Sequence, residues 1–119
     1  MLTDASSHLV YLACGATDMR KSIDSLAALV KECFNLDPFS QSLFVFCNRG
    51  KNKLKILRWD RSGFWLYYRR LERGKFQWPE KVAGDKPIAV DYRELRWLLD
   101  GLSLKQSKAH PEVKQRTIV

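Results

Sequence analysis

Two stretches of this chain hold residue types at spacings that could do chemistry. The first is Gly15 to Ser22, which reads GATDMRKS. It follows the phosphate-binding pattern G-x-x-x-x-G-K-[ST] except at Arg20, which stands where the second glycine belongs. In that motif backbone N–H groups wrap the phosphates, the lysine reaches the β- and γ-phosphates, and the hydroxyl reaches Mg²⁺. The second stretch runs from Arg49 to Lys75. It holds ten basic residues, Arg49, Lys51, Lys53, Lys55, Arg58, Arg61, Arg69, Arg70, Arg73 and Lys75, against two acids, Asp60 and Glu72. That window carries the whole net charge of +8, because the rest of the chain balances 11 basic against 11 acidic residues. A basic band on a neutral body is the footprint of a polyanionic partner; a merely solvated face is the plainer reading.

The phosphate-loop reading fails its context. Arg20 cannot supply the backbone freedom of the missing glycine, and Asp18 puts a carboxylate beside the phosphates. No strand ends in a convincing Mg²⁺-binding aspartate. The strand pattern further on reads as an antiparallel meander, not the parallel sheet that usually carries the motif. The simpler account is an N-cap, with Thr17 or Asp18 satisfying N–H groups at a helix start. Arg20 and Lys21 then sit in the first turn, where the helix dipole disfavours cations. Contact with an anion or with Asp24 would explain them, and so would simple exposure.

The basic window alternates with aromatic residues. In KLKILRWD, Lys53, Lys55, Leu57 and Trp59 share one face of a strand, and Leu54, Ile56, Arg58 and Asp60 share the other. In the following strand Trp65, Tyr67, Arg69 and Leu71 alternate with Phe64, Leu66, Tyr68 and Arg70. Cations neutralise phosphates and rings stack on exposed bases, so the mixture suits nucleic acid. The candidate contacts are the ten basic residues of the window, with Arg20 and Lys21 assisting. Trp59, Trp65, Tyr67 and, on the last helix, Trp97 are candidates for stacking or partner contact. Each ring taken singly is more often a core or cross-strand residue.

Catalysis finds less support. The acids are scattered, whereas a metal-dependent nuclease needs them clustered. No Ser-His-Asp or Cys-His set is present, and Tyr67 or Tyr68 beside Arg69-Arg70 is too common an arrangement to mark a nucleophile. Cys14, Cys33 and Cys47 are odd in number, widely spaced and set in apolar context, as buried free thiols are. His8 and His110 lie near opposite ends, so no zinc site is expected, and no cofactor. Length and a 45% apolar content suit one domain with a real core. No apolar stretch nears the roughly 18–20 residues of a membrane span. The start, MLTDASSH, lacks the regions of a signal peptide, which predicts a cytoplasmic protein.

The elements that must position these residues follow from periodicity. Val10 to Cys14 reads as a strand. Ile23, Leu26, Ala27, Val30 and Phe34 mark one face of a helix that ends near Asn35, before Asp37-Pro38. Three β-rich runs come next: Leu43–Cys47, Lys53–Asp60 and Gly63–Leu71. The last two are joined by a tight hairpin in which Gly63 can take positive φ. Lys75–Trp78 is a candidate further strand and Ile88–Val90 a short one. Asp91 and Glu94 form a D-x-x-E capping box before a helix with a Leu95, Leu98, Leu99, Leu102 stripe. The expected fold is α+β: a small antiparallel β-meander of three to five strands, with two main helices packed on one face. Residues 1–103 would form the single domain and 104–119 a polar, mobile tail.

Four stretches in order, TDMRKSIDSLAALV (17–30), DPFSQSLFVFCNR (37–49), KLKILRWDRSGFWLYYRRLERGKFQWP (53–79) and ELRWLLDGL (94–102), resemble a known family. It is the accessory protein TnpB, or second-open-reading-frame protein, of the insertion sequence 66 group of bacterial transposable elements. The RNA-guided nuclease of the same name is unrelated. The likeness spans about Val10 to Leu102. It implies a protein made alongside a separate transposase that carries the DNA chemistry, and it supplies no catalytic residues. The family usually reads TDMRKG where this chain has Ser22, so the phosphate-loop likeness rests on a departure from the family pattern. The expectation is a non-catalytic transposition factor that binds DNA, with the element's ends as a candidate target. The alternative is a module that docks the transposase.

Overall fold

The computed structural model describes residues 9–79 and 86–104. In chain order the elements are β1 (Val10–Leu12), α1 (Ile23–Glu32), β2 (Leu43–Cys47), β3 (Lys53–Asp60), β4 (Gly63–Arg70), β5 (Ile88–Val90) and α2 (Tyr92–Leu99). The strands form one sheet in the order β4-β3-β2-β1-β5. The α+β class and the five strands agree with the sequence reading. Two features of the expected architecture do not.

The sheet is mixed, because β1 pairs in parallel with β2, with Val10 opposite Leu43. The β2-β3-β4 meander and the β1–β5 pair are antiparallel. The parallel step also removes the topological objection to a phosphate loop, since β1-loop-α1-β2 is a strand–helix–strand crossover.

The helices lie on opposite faces. Phe44, Phe46 and Leu57 pack with Leu26 and Val30 of α1. Leu43, Val45, Cys47, Leu54 and Ile56 pack with Leu95 and Leu98 of α2. The physical reason is β2, whose five residues LFVFC are all buried. A strand apolar on both sides sits in the centre of a sheet and needs a cover on each face.

The ends of the helices show what the local sequence specifies. At α2 the capping box forms: the Asp91 side chain accepts from Glu94 N at 2.7 Å, and Glu94 accepts from Asp91 N at 3.0 Å. Gly101, at φ 87°, then lets Leu102 N reach Trp97 O at 2.8 Å while its own N–H reaches Leu98 O at 3.1 Å, a Schellman end. At α1 the expected cap is absent. The helix begins only at Ile23, after Ser22, with no side-chain capping bond. Arg20 and Lys21 therefore precede the helix.

Lys75–Trp78 forms no strand. Phe76 and Trp78 are instead buried in the α2-side core, with Trp78 Nε1 donating to Ala13 O at 3.1 Å. At the β3–β4 hairpin, Asp60 pairs with Gly63 across a two-residue loop. Positive φ falls on Arg61, at 58°, and not on Gly63. Nearly all of the expected mobile tail, from 105 to 119, lies outside the described residues.

Candidate nucleic-acid interface

Register decides which cations share a surface. Residues directly opposite in neighbouring strands point to the same side. Lys53 pairs with Arg70 and Lys55 with Tyr68, on the α1 side of the sheet; Leu57–Leu66 and Trp59–Phe64 continue that side. Arg69 pairs with Leu54 and Trp65 with Arg58, on the α2 side. The basic band is thus divided between two faces, and the rings are divided too.

On the α1 side the sheet end opens into a cleft of about 690 Å³, between the loop after β1 and the β2–β3 turn. Arg20, Arg49, Lys53 and Tyr68 line it. Both walls are held by specific bonds. Lys55 Nζ donates to Met19 O at 2.7 Å and to Lys21 O at 2.8 Å, tying the first loop to β3. In the turn, Asn48 Oδ1 accepts from the N–H groups of Asn52 and Lys53, both at 3.0 Å, and Asn48 Nδ2 donates to Asn52 Oδ1 at 2.8 Å. Gly50 lies against this clip: a Cβ there would meet Asn52 Oδ1 at 3.2 Å.

Lys55 is therefore a positioning residue and not an exposed phosphate contact. Its Nζ also lies 5.7 Å from the centre of the Tyr68 ring. Arg20 is exposed, but its guanidinium grips Asp18 with bonds of 2.8–3.1 Å. The Arg20 side chain and its backbone N–H hold the Asp18 carboxyl down to about pH 2, well below the usual carboxylate range. Arg70 pairs with Glu72 at 2.9 Å, both exposed. Arg49, Lys53 and Arg69 form no ion pair among the described residues.

The same bonds rule on the phosphate loop. Thr17 N donates to Cys47 O, Arg20 N to Asp18 Oδ1 and Lys21 N to Asp18 O. Three amides that a phosphate cradle would aim at its ligand are already bonded within the protein.

The predicted rings separate. Trp59 packs edge-on to Phe39 and Phe64, with centroids 4.9 and 5.0 Å away, in an aromatic cluster at the hairpin end. Trp65 and Tyr67 stack on each other on the opposite face, with centroids 6.0 Å apart and ring planes parallel to within 1°. Trp97 lies on α2 under Arg93, 5.2 Å from its ring. Only Tyr68, missed as a stacking candidate, stands beside the cleft, and it is 53% exposed. The signal was available: Tyr68 has the same strand parity as Arg70.

Arg61 lies at the hairpin tip, and Lys51 beside the clip; Arg73 and Lys75 follow β4 in exposed chain. Among the described residues, no group of three or more His, Cys, Asp or Glu is gathered to hold a metal ion. Cys33 is exposed, against the expectation of buried thiols, and Cys14 is partly so, its Sγ–H donating to Lys86 O. Cys47 is buried, which pushes its thiol up to about 11.

A family model described as IS66 Orf2 like protein matches residues 8–109. The chain belongs to this family. Membership ties it to an insertion sequence and to transposition. It is 38% identical over 112 residues to the uncharacterized protein y4hO of Sinorhizobium fredii (strain NBRC 101917 / NGR234), covering 94% of this chain and 92% of that one. It is 32% identical over 110 residues to the uncharacterized protein y4jC of the same strain, covering 92% of each. No solved structure matches. Within the IS66 Orf2-like fold described above, no helix among the described residues is long and apolar enough to cross a membrane.

Proposed function

We propose that this IS66 Orf2-like protein is a non-catalytic, cytoplasmic accessory factor for transposition, and that it binds DNA through the α1-side cleft and its basic rim. One observation carries the reading. Arg49 and Lys53, neither of them in an ion pair among the described residues, converge on a concave surface beside the Arg20–Asp18 pair, and its walls are fixed by bonds within the protein. A rigid basic concavity binds a polyanion without first paying to order its own loops.

The test compares two charge-matched double reversals. R49E/K53E alters the cleft; R61E/R69E alters the hairpin tip and the opposite face. Binding to labelled duplex is followed across a salt series through about 0.15 M. The cleft variant should lose on the order of a hundredfold in affinity, with a salt slope shallower by about two. The other pair should lose far less. Wild-type binding by a folded R49E/K53E protein would refute the reading.

A second reading has its own support: the module docks the transposase. Trp65 is 53% exposed and stacked on Tyr67, on the face away from the cleft. Exposed aromatic pairs are common anchors in protein interfaces. A Trp65→Ala protein that keeps DNA binding but no longer retains purified transposase would support this role.

A further inference from the structure

We infer that the cleft takes an unpaired stretch of nucleic acid, with a base stacked on Tyr68 and its phosphates on Arg49 and Lys53. This rests on the nucleic-acid reading above and narrows it to single-stranded substrate.

Four observations lead there. The cleft is concave and about 690 Å³, a size suited to a nucleotide-sized group. Its unpaired cations, Arg49 and Lys53, lie together among the described residues on the wall formed by the β2–β3 turn and the start of β3, while the facing wall carries the Arg20–Asp18 ion pair, so a strand's phosphates follow one side of the cleft. Tyr68 is half exposed at the side of the cleft, on the same sheet face as Lys53. Lys55 Nζ, itself fixed by two carbonyls, lies 5.7 Å from the centre of the Tyr68 ring, a cation–π contact that favours the ring's position beside the cleft.

A duplex cannot use this arrangement fully. Its base faces are covered by their neighbours in the stack, and only its phosphates can reach the rim. An unpaired strand can turn a base outward onto an aromatic ring, and that contact is tolerant of sequence because every base has a π-face. Asn48 lines the same cleft, but the turn clip uses its Oδ1 twice as acceptor and one of its two Nδ2–H donors. Bidentate reading of a base edge by that amide is therefore blocked, and stacking, which every base face permits, should give the site only a modest sequence preference.

The experiment uses the full-length chain and two labelled probes of equal length, an oligo-deoxythymidine of roughly ten nucleotides and a blunt duplex, within the ~4–16-nucleotide site sizes of single-strand binders. Wild-type protein should bind the single strand more tightly at about 0.15 M salt. Tyr68→Leu should weaken single-strand binding by about tenfold and leave duplex binding within about twofold. Tyr68→Trp should retain single-strand binding, which separates loss of the ring from damage to β4. Duplex binding equal to or tighter than single-strand binding, with Tyr68→Leu silent, overturns the inference and leaves the DNA reading standing. Binding to neither probe overturns both.

Discussion

Lys55 offers the sharpest test of how this surface is built, because its charge reads as a ligand contact in sequence and as a structural tie in three dimensions. Lys55→Met keeps the stem and removes the ammonium. Two carbonyls, Met19 O and Lys21 O, then lose donors at 2.7 and 2.8 Å. Hydrogen bonds from charged donors contribute about 1.5–3 kcal/mol each, and two fully lost bonds set an upper bound of about 6. Lys55 is only partly buried, so water can replace part of what is lost. The expected cost is therefore about 2–3 kcal/mol, a fall in melting temperature of roughly 10 °C for a domain of this size. Lys53→Met, two residues away on the same face, should change stability by no more than about 0.5 kcal/mol, because its ammonium makes no ion pair among the described residues. DNA binding should show the complementary pattern. Lys53→Met lowers the salt slope by about one. Lys55→Met weakens binding by loosening the Met19–Lys21 wall. Urea unfolding at constant slope measures the first difference and the salt series the second. Lys55→Met melting within about 0.5 kcal/mol of wild type would show that the tie is not structural.

Two further predictions come from the same geometry. Arg61 holds φ at 58° in the hairpin, a region costly for a residue with a Cβ, so Arg61→Gly should raise stability by roughly 1 kcal/mol in thermal melts; unchanged or lower stability would show that the turn is not strained there. Asp18, held down to about pH 2 by the Arg20 side chain, should titrate there by NMR, and Arg20→Ala should return it toward 3.8. The sign follows from the depressed value: whatever this pair contributes to folding is present above about 3.8 and is lost as pH falls toward 2. The pair is solvent-exposed, so that contribution should be small, and a normal titration in the wild type would remove the pair from the account.

The sequence by itself determined most of the elements. LFVFC, KLKILRWD and IAV appear as strands at the boundaries that their apolar and β-branched content sets, and Asp91 with Glu94 fixes the start of α2. These are local properties, decided by dihedral preference, alternation and capping within a few residues. The two-sided burial of β2 was also written in its unbroken apolar run. That run implies a helix on each face, although the alternating strands beside it invite a one-sided reading. The parity of β3 and β4 correctly divided their residues into two faces.

Tertiary structure decided the rest, because the remaining questions depend on groups far apart in the chain. Which strand lies beside β1 fixed the parallel pairing, and no local pattern encodes that choice. The 36-residue separation between Lys55 and Met19 is closed only by the sheet, and closing it turns a cation of the basic band into a tie between elements. Asp18 follows the same logic. Its candidate role as a helix cap yielded to Arg20, which offers it a charged fork and a backbone N–H in one place. Trp59, Trp65 and Trp97 look equivalent as exposed aromatics in the sequence. Register and packing send them to three different surfaces and leave Tyr68 beside the cleft. Charge is a property of composition, but a binding surface is a property of register.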